Sequence, residues 1–262
     1  MPSSIALNCD CMEYMKSLPD KAFDLAVVDP PYGDALSNES GGGGTASDSD
    51  STGTRRLRFH GGSKNPNDPW NKYLRPPTQQ LPQERERDGS PDGRDMGKEV
   101  RKKIIAWDVA PGQEYFDELF RISRNQIIWG GNYFNLPPTR CFLIWRKLTI
   151  SEKFSMAMCE YAWTSFNSNA KLFEYAPQGK VGDQRFHPTQ KPIALYEWVY
   201  KLYAEPGMKI LDTHLGSGSS RIAAYDAGLD FVGCEIDKTY FDLQEERFER
   251  HTAQENLFLD NL

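Results

Sequence analysis

Apolar positions in this chain gather into short, separate runs. Those at 4–8, 23–28, 125–129, 141–145, 160–166, 208–212 and 230–234 predict strands. Several are continuously apolar rather than alternating, as expected of parallel strands covered on both faces. Patterns with a helical period fall between many of them, at 11–18, 112–122, 192–203, 219–227 and 238–250. Alternation of strand and helix predicts a doubly wound α/β sheet. One stretch breaks the pattern: from 34 to 103 no apolar period is sustained. Residues 37–53 are rich in Gly, Ser and Asp and read as a flexible linker, and 79–103 are polar with mixed charge and read as poorly ordered. The expected organisation is a core of residues 1–33 and 104–262 with a polar insert at 34–103.

Composition narrows the function classes. The 262 residues suffice for one sizeable domain and a smaller lobe. A net charge of −6 excludes a uniformly basic nucleic-acid binder, so any such contact must be local. The insert offers one candidate. Between Arg55 and Arg75 it holds Arg55, Arg56, Arg58, Lys64, Lys72 and Arg75 against the single acid Asp68, with Phe59, Trp70 and Tyr73 interleaved. A loop of that length in a compact domain is functional or disordered. Five Cys are too few and scattered for a disulfide scaffold, and Cys9-x-Cys11 is too tight for zinc, so reduced cytoplasmic thiols are expected. Four scattered His suggest no metal centre. The N-terminus has no signal-peptide pattern and no run has the length of a membrane span, which suggests a soluble protein.

Three segments carry chemistry. The strand at 23–28 stops on Asp29-Pro30-Pro31-Tyr32, where two prolines force the chain out of the sheet but leave their carbonyls as acceptors. A carboxylate, a stiff carbonyl and a flat aromatic suit a planar group bearing an NH2; the plain alternative is a strand-ending turn. The second segment runs from the strand at 208–212 through Asp212-Thr213-His214-Leu215-Gly216-Ser217-Gly218-Ser219 into a helix. Glycines admit close backbone approach, and a helix start offers unpaired N–H groups. Glu235, nineteen positions after Gly216 at the end of the next strand, is placed to take both hydroxyls of a ribose. The third segment, His187-Pro188-Thr189-Gln190-Lys191-Pro192, presents donors from a rigid loop, though an ordinary helix entry reads the same way.

In this order the three segments resemble the β-class amino-methyltransferases of DNA, in which the D-P-P-Y motif precedes H-P-T-Q-K-P and the G-S-G cofactor motif comes last. The resemblance covers 4–32 and roughly 104–262. It departs at Thr213 and His214, where the family usually has Pro and Phe, and protonation of His214 is expected to make cofactor affinity depend on pH. The fold implied is a Rossmann-like methyltransferase sheet, circularly ordered with the cofactor motif last. The resemblance further implies S-adenosylmethionine as cofactor, no metal, and DNA as partner, and it allows for a cognate restriction endonuclease. Asp29 and the Pro30 carbonyl would accept the amine N–H groups of a flipped base, adenine N6 ahead of cytosine N4, with Pro31 stiffening the loop and Tyr32 stacking. Glu235 would hold the ribose of the cofactor. Gly216, Ser217, Gly218 and Ser219 would cradle its amino-acid part with Thr189, Gln190 and Lys191, and Asp212 and His214 would border it. Asp10 is placed either to meet the adenine or to cap the helix at 11–18. Arg55, Arg56, Arg58 and Lys72 are expected to contact phosphates. Rival readings are an RNA or protein amine methyltransferase and a non-catalytic nucleic-acid-binding relative.

Overall fold

The computed structural model describes residues 2–33, 108–151, 157–179 and 185–259. The chain divides into two units, Met1–Ala35 with Ile105–Leu262, and Leu36–Ile104. The second unit, which holds the expected insert from residue 36 onward with Arg55, Arg56, Arg58 and Lys72, lies outside the described residues. Every described element belongs to the first unit.

In chain order these elements are β1 (Ser4–Leu7), α1 (Cys11–Lys16), β2 (Phe23–Val28), α2 (Gln113–Ile122), β3 (Ser123–Trp129), β4 (Phe142–Lys147), β5 (Cys159–Thr164), β6 (Lys171–Tyr175), α3 (Ile193–Tyr203), β7 (Lys209–Asp212), α4 (Ser219–Asp226), β8 (Asp230–Cys234) and α5 (Lys238–Leu259). The strands form one sheet in the order β1-β8-β7-β2-β3-β5-β4-β6. β5 alone runs against its neighbours β3 and β4.

The continuous apolar runs are explained by two-sided burial. In β2, Leu25 and Val27 join a core with α3 and α4, whereas Ala26 and Val28 join another with α1 and α2. Ile127 and Trp129 of β3 face the first core and Ile128 the second. Successive side chains point to opposite faces, so a strand with helices on both sides needs an apolar residue at every position. No described helix is long and apolar enough to cross a membrane.

Two elements differ from expectation. α1 ends at Lys16, where Ser17 turns its N–H and hydroxyl back onto the last carbonyls, rather than continuing to 18. β6 was not anticipated, because only alternate residues of this five-residue edge strand face inward. Phe173 stacks on Trp198 of α3 at 5.1 Å, and Arg146 meets Glu174 across the strand pair at 2.6 Å.

The topology fixes where a ligand belongs. β7 and β2 are parallel neighbours, with Leu25 opposite Ile210 and Ala26 opposite Leu211. From β7 the chain continues through α4 to β8 on one side, and from β2 through α2 to β3 on the other. The sheet order therefore reverses between these two strands, and in open α/β sheets a ligand belongs beyond the carboxyl ends at such a point.

Candidate functional site

Asp29 sits at that point as the first residue past β2. One carboxylate oxygen, Oδ1, accepts the Tyr32 hydroxyl at 2.7 Å. Burial, with Asp29 close by, pushes the Tyr32 phenol well above its usual range, so it keeps its proton and donates. The Tyr32 ring stacks on Tyr133 with centroids 4.7 Å apart and planes at 15°, and meets Phe134 edge-on at 6.1 Å. Tyr133 and Phe134 follow β3 through a 3-10 turn, Gly131–Tyr133. Gly130 makes that approach feasible. It lies at φ +70°, and a Cβ there would stand 2.0 Å from a Tyr32 ring carbon.

The other oxygen of Asp29 pairs with the Lys191 ammonium. Lys191 is 5 % exposed and also reaches Glu160 of β5 at 3.0 Å, while the second oxygen of Glu160 meets Lys147 of β4 at 2.5 Å. The third sequence segment thus brings Lys191 to the carboxylate of the first. Its other end lies against the second, since the His187 ring is 3.4 Å from where a Cβ on Gly216 would stand. Thr189 meets His187 Nδ1 at 3.2 Å, and Gln190 Oε1 accepts from the Phe186 N–H at 3.3 Å. Those two side chains hold their own loop together.

The cofactor-type loop begins at buried Asp212. Its Oδ1 accepts the His214 N–H at 3.0 Å and its Oδ2 the Ser220 hydroxyl. Burial pushes this carboxyl up to about 7; the charges of Asp29 and Glu235 add to the effect, and the two hydrogen bonds oppose it. Gly218 opens α4 at φ +74°, and a Cβ there would press on Gln244 at 3.2 Å. From α5, Arg247 donates to the Ser217 carbonyl at 2.7 Å and to Ser219 Oγ at 3.0 Å, and Ser217 and Ser219 share a hydroxyl contact of 3.2 Å. Glu235, just past β8, accepts the N–H groups of Gly216 and Asp237, each at 2.8 Å. The Ile236 N–H also acts on this carboxylate, which keeps acceptor capacity for a further donor.

His214 meets Thr213 Oγ1 at 3.0 Å and Tyr115 of α2 edge-on at 5.5 Å, and Tyr115 in turn meets Thr213 Oγ1 at 2.5 Å. Burial pushes the imidazole down to about 4. It is therefore neutral at neutral pH, and the expected pH dependence through His214 moves to acid conditions. Asp10 caps α1, its carboxylate accepting the Met12 N–H at 2.7 Å, and it is near enough to His214 to act on its charge.

Asp29, Asp212 and Glu235 lie near enough for the charges of Asp29 and Glu235 to act on Asp212, and the Tyr32–Tyr133 aromatic pair stands at the Asp29 end. Tyr133, Tyr115, Glu160, Lys147 and Arg247 were not singled out by sequence. Two left a signal. Tyr133 closes the Gly130-Gly131-Asn132-Tyr133 run, and Lys147 shares the inward phase of Leu143 and Trp145, where an apolar residue is expected.

The profile of a DNA methylase family, N6/N4 type, matches residues 63–246. The match opens inside the expected insert and leaves out Asp29–Tyr32, so its span differs from that of the motif resemblance. Residues of this chain are 31 % identical over 68 residues to a putative methylase, YubD, of Escherichia coli strain K12, covering 26 % of this chain and 30 % of that protein. They are 36 % identical over 63 residues to the type II methyltransferase M2.DpnII of Streptococcus pneumoniae, covering 24 % of each. The matched stretches span less than a third of either relative. Among solved structures, the M1.HpyAVI–SAM complex aligns over 94 % of this chain and 100 % of its own, at 16 % identity and a TM-score of 0.48. The cytosine-N4-specific PvuII DNA methyltransferase aligns over 99 % and 94 %, at 12 % identity and a TM-score of 0.49.

Proposed function

The chain belongs to the N6/N4 DNA methylase family, and we propose that it transfers a methyl group from S-adenosylmethionine to the exocyclic amine of a flipped DNA base, adenine N6 ahead of cytosine N4. The observation that carries this reading is the emergence of the 29–32 loop and the 212–219 loop from adjacent parallel strands at the point where sheet order reverses.

The residues present fit the cofactor. Asp212 is a carboxyl raised first by burial and then by the charges of Asp29 and Glu235, a situation that a cation relieves. The positive-φ turn at Gly216 and Gly218 carries the backbone into the N-terminus of α4, and Glu235 has acceptor capacity for ribose hydroxyls. When bound, S-adenosylmethionine supplies an electrophilic methyl on a sulfonium. The work of the chain is then positional. A base amine is a poor nucleophile because its lone pair is delocalised into the ring. Asp29 and the Pro30 carbonyl, accepting its N–H groups, favour a pyramidal nitrogen whose lone pair points away from the ring. The rigid Pro30-Pro31 loop holds that geometry, which is worth several kcal/mol where attack must be in line. Tyr32, and Tyr133 stacked on it, offer the aromatic surface that offsets the few kcal/mol of unstacking a base. The Asp29-Pro30-Pro31-Tyr32 order favours adenine over cytosine.

The test is transfer of labelled methyl from S-adenosylmethionine to duplex DNA, with the modified base mapped by mass spectrometry. N6-methyladenine is expected; N4-methylcytosine would reassign the base, and label on RNA or protein alone would reassign the substrate. Asp29→Ala should abolish transfer while leaving cofactor binding nearly intact, because its carboxylate serves the base.

A further inference from the structure

Four charged side chains of alternating sign run from the sheet into the catalytic loop: Lys147, Glu160, Lys191 and Asp29. Lys147 meets Glu160 at 2.5 Å, Glu160 meets Lys191 at 3.0 Å, and Lys191 pairs with Asp29. The side chains of Lys147 and Lys191 are 9 % and 4 % exposed, those of Glu160 and Asp29 20 % and 14 %. Removing such charges from water is costly, and well-packed apolar residues in their place are often as stable or more so. Stability alone therefore gives no reason for the chain of charges. Its end point does, because Asp29 is the carboxylate on which the proposed chemistry turns.

We propose that Lys191 and Glu160 are positioning residues for methyl transfer, and that Lys191 serves Asp29 and not the cofactor. The proposal rests on the functional reading above and deepens it. A lysine ammonium is a point charge on a flexible stem and cannot fix a carboxylate plane by itself. Here it is held from two more sides, by Glu160 at 3.0 Å and by the Trp129 ring with its centroid 5.7 Å away. Glu160 is in turn fixed by Lys147, whose backbone N–H is tied to the Met158 carbonyl at 2.8 Å. With Lys191 on one oxygen and the Tyr32 hydroxyl on the other, the orientation of Asp29 is set before a base arrives.

The pairing also sorts the carboxylates of the site. Asp29 has a cation of its own, whereas among the described residues Asp212 and Glu235 are held by hydroxyl and backbone donors. A cationic cofactor is thereby drawn to Asp212 and Glu235, and Asp29 is kept for the neutral amine. A loop that merely cradled the amino-acid part of the cofactor would have Lys191 facing Gly216–Ser219. His187 lies there instead.

The discriminating experiment separates kcat from cofactor affinity. Lys191→Met is expected to lower kcat roughly a hundredfold while the Kd for S-adenosylmethionine, measured by calorimetry without DNA, stays within about threefold or tightens. Lys191→Arg, which keeps the charge, should recover much of kcat. Glu160→Gln should lower kcat about tenfold at unchanged Kd, and Glu160→Asp should lower it less. Should Glu160→Gln fail to fold, the double variant Lys147→Met/Glu160→Gln removes one charge of each sign, leaves the Lys191–Asp29 pair balanced, and should still show the loss in kcat. A tenfold or larger weakening of S-adenosylmethionine binding by Lys191→Met would overturn the proposal in favour of a cofactor cradle. Wild-type kcat in the Glu160 variants would overturn it as well. Calorimetry needs no DNA, so an absence of DNA methylation by the wild-type protein would count against the functional reading and leave the assignment of Lys191 to be judged on its own.

Discussion

Asp212 is the residue on which pH acts. Its carboxyl is pushed up to about 7 from an ordinary 3.8, so between those values the folded protein binds a proton that the unfolded chain does not. Stability from this group is present in acid and is lost as pH rises through about 7. Asp212→Asn should therefore stabilise the cofactor-free protein at pH 8 by about 1–3 kcal/mol, below the roughly 4 kcal/mol that three pKa units represent, because Asn loses part of the Ser220 contact. Thermal unfolding at pH 5 and pH 8 checks it: the gain should appear at pH 8 and shrink at pH 5. Cofactor binding runs the other way. A cation favours the ionised carboxylate, so S-adenosylmethionine should bind more weakly as pH falls below about 7, with proton release on binding, and Asp212→Asn should flatten that profile. His214 makes no such contribution near neutrality, because burial holds it at about 4. From sequence both are placed beside the cofactor, but only the His, the visible departure from the family pattern, is expected to titrate. Which of them titrates depends on burial, and local sequence does not state burial.

At the scale of elements, the parts of the candidate site legible in the sequence are those a single strand end or turn displays by itself. Asp29–Tyr32, Gly216–Ser219 and Glu235 each sit where a parallel strand stops, and the apolar run before them marks that stop. What was not legible comes from neighbouring elements. Tyr133 reaches Tyr32 only because β3 pairs with β2, and Glu160 reaches Lys191 only because β5 inserts antiparallel beside β3. Gly130 ties these together. Gly130→Ala introduces a Cβ 2.0 Å from the Tyr32 ring at a backbone angle that L residues rarely adopt. It should cost about 1–3 kcal/mol in stability and lower kcat strongly, with cofactor affinity nearly unchanged since the glycine faces Tyr32. Wild-type kcat in a folded variant would show that the Tyr32–Tyr133 stack is dispensable. α5 supports the other loop. Arg247→Met removes two charge-assisted donors beneath Ser217 and Ser219, worth about 1.5–3 kcal/mol each. S-adenosylmethionine affinity should fall at least tenfold by calorimetry; unchanged affinity would make that clamp purely architectural.

At the scale of the whole molecule, strand–helix alternation made the doubly wound class legible, but the pairing order was not, because contacts such as Leu25 with Ile210 join residues far apart in sequence. That non-local pairing makes the last motif in the chain a neighbour of the first. The insert between them lies outside the described residues, and its role is argued from charge alone. An acidic protein that concentrates Arg55, Arg56, Arg58 and Lys72 after its Asp29–Tyr32 loop in sequence has its phosphate-contacting residues there, we propose. Each phosphate contact releases counterions and adds about one unit to the log–log salt slope of DNA binding. Deleting 37–103 across a short linker should keep S-adenosylmethionine affinity, since Asp212, Gly216–Ser219 and Glu235 all belong to the other unit. DNA affinity should fall and its salt dependence flatten by several units. Changing Arg55, Arg56, Arg58 and Lys72 together to Gln should reproduce most of the flattening without the deletion, which separates a charge effect from a general disturbance of the chain. If both variants bind DNA with the wild-type salt slope, phosphate contacts must come from the methyltransferase unit itself, and the basic run is a tolerated insertion.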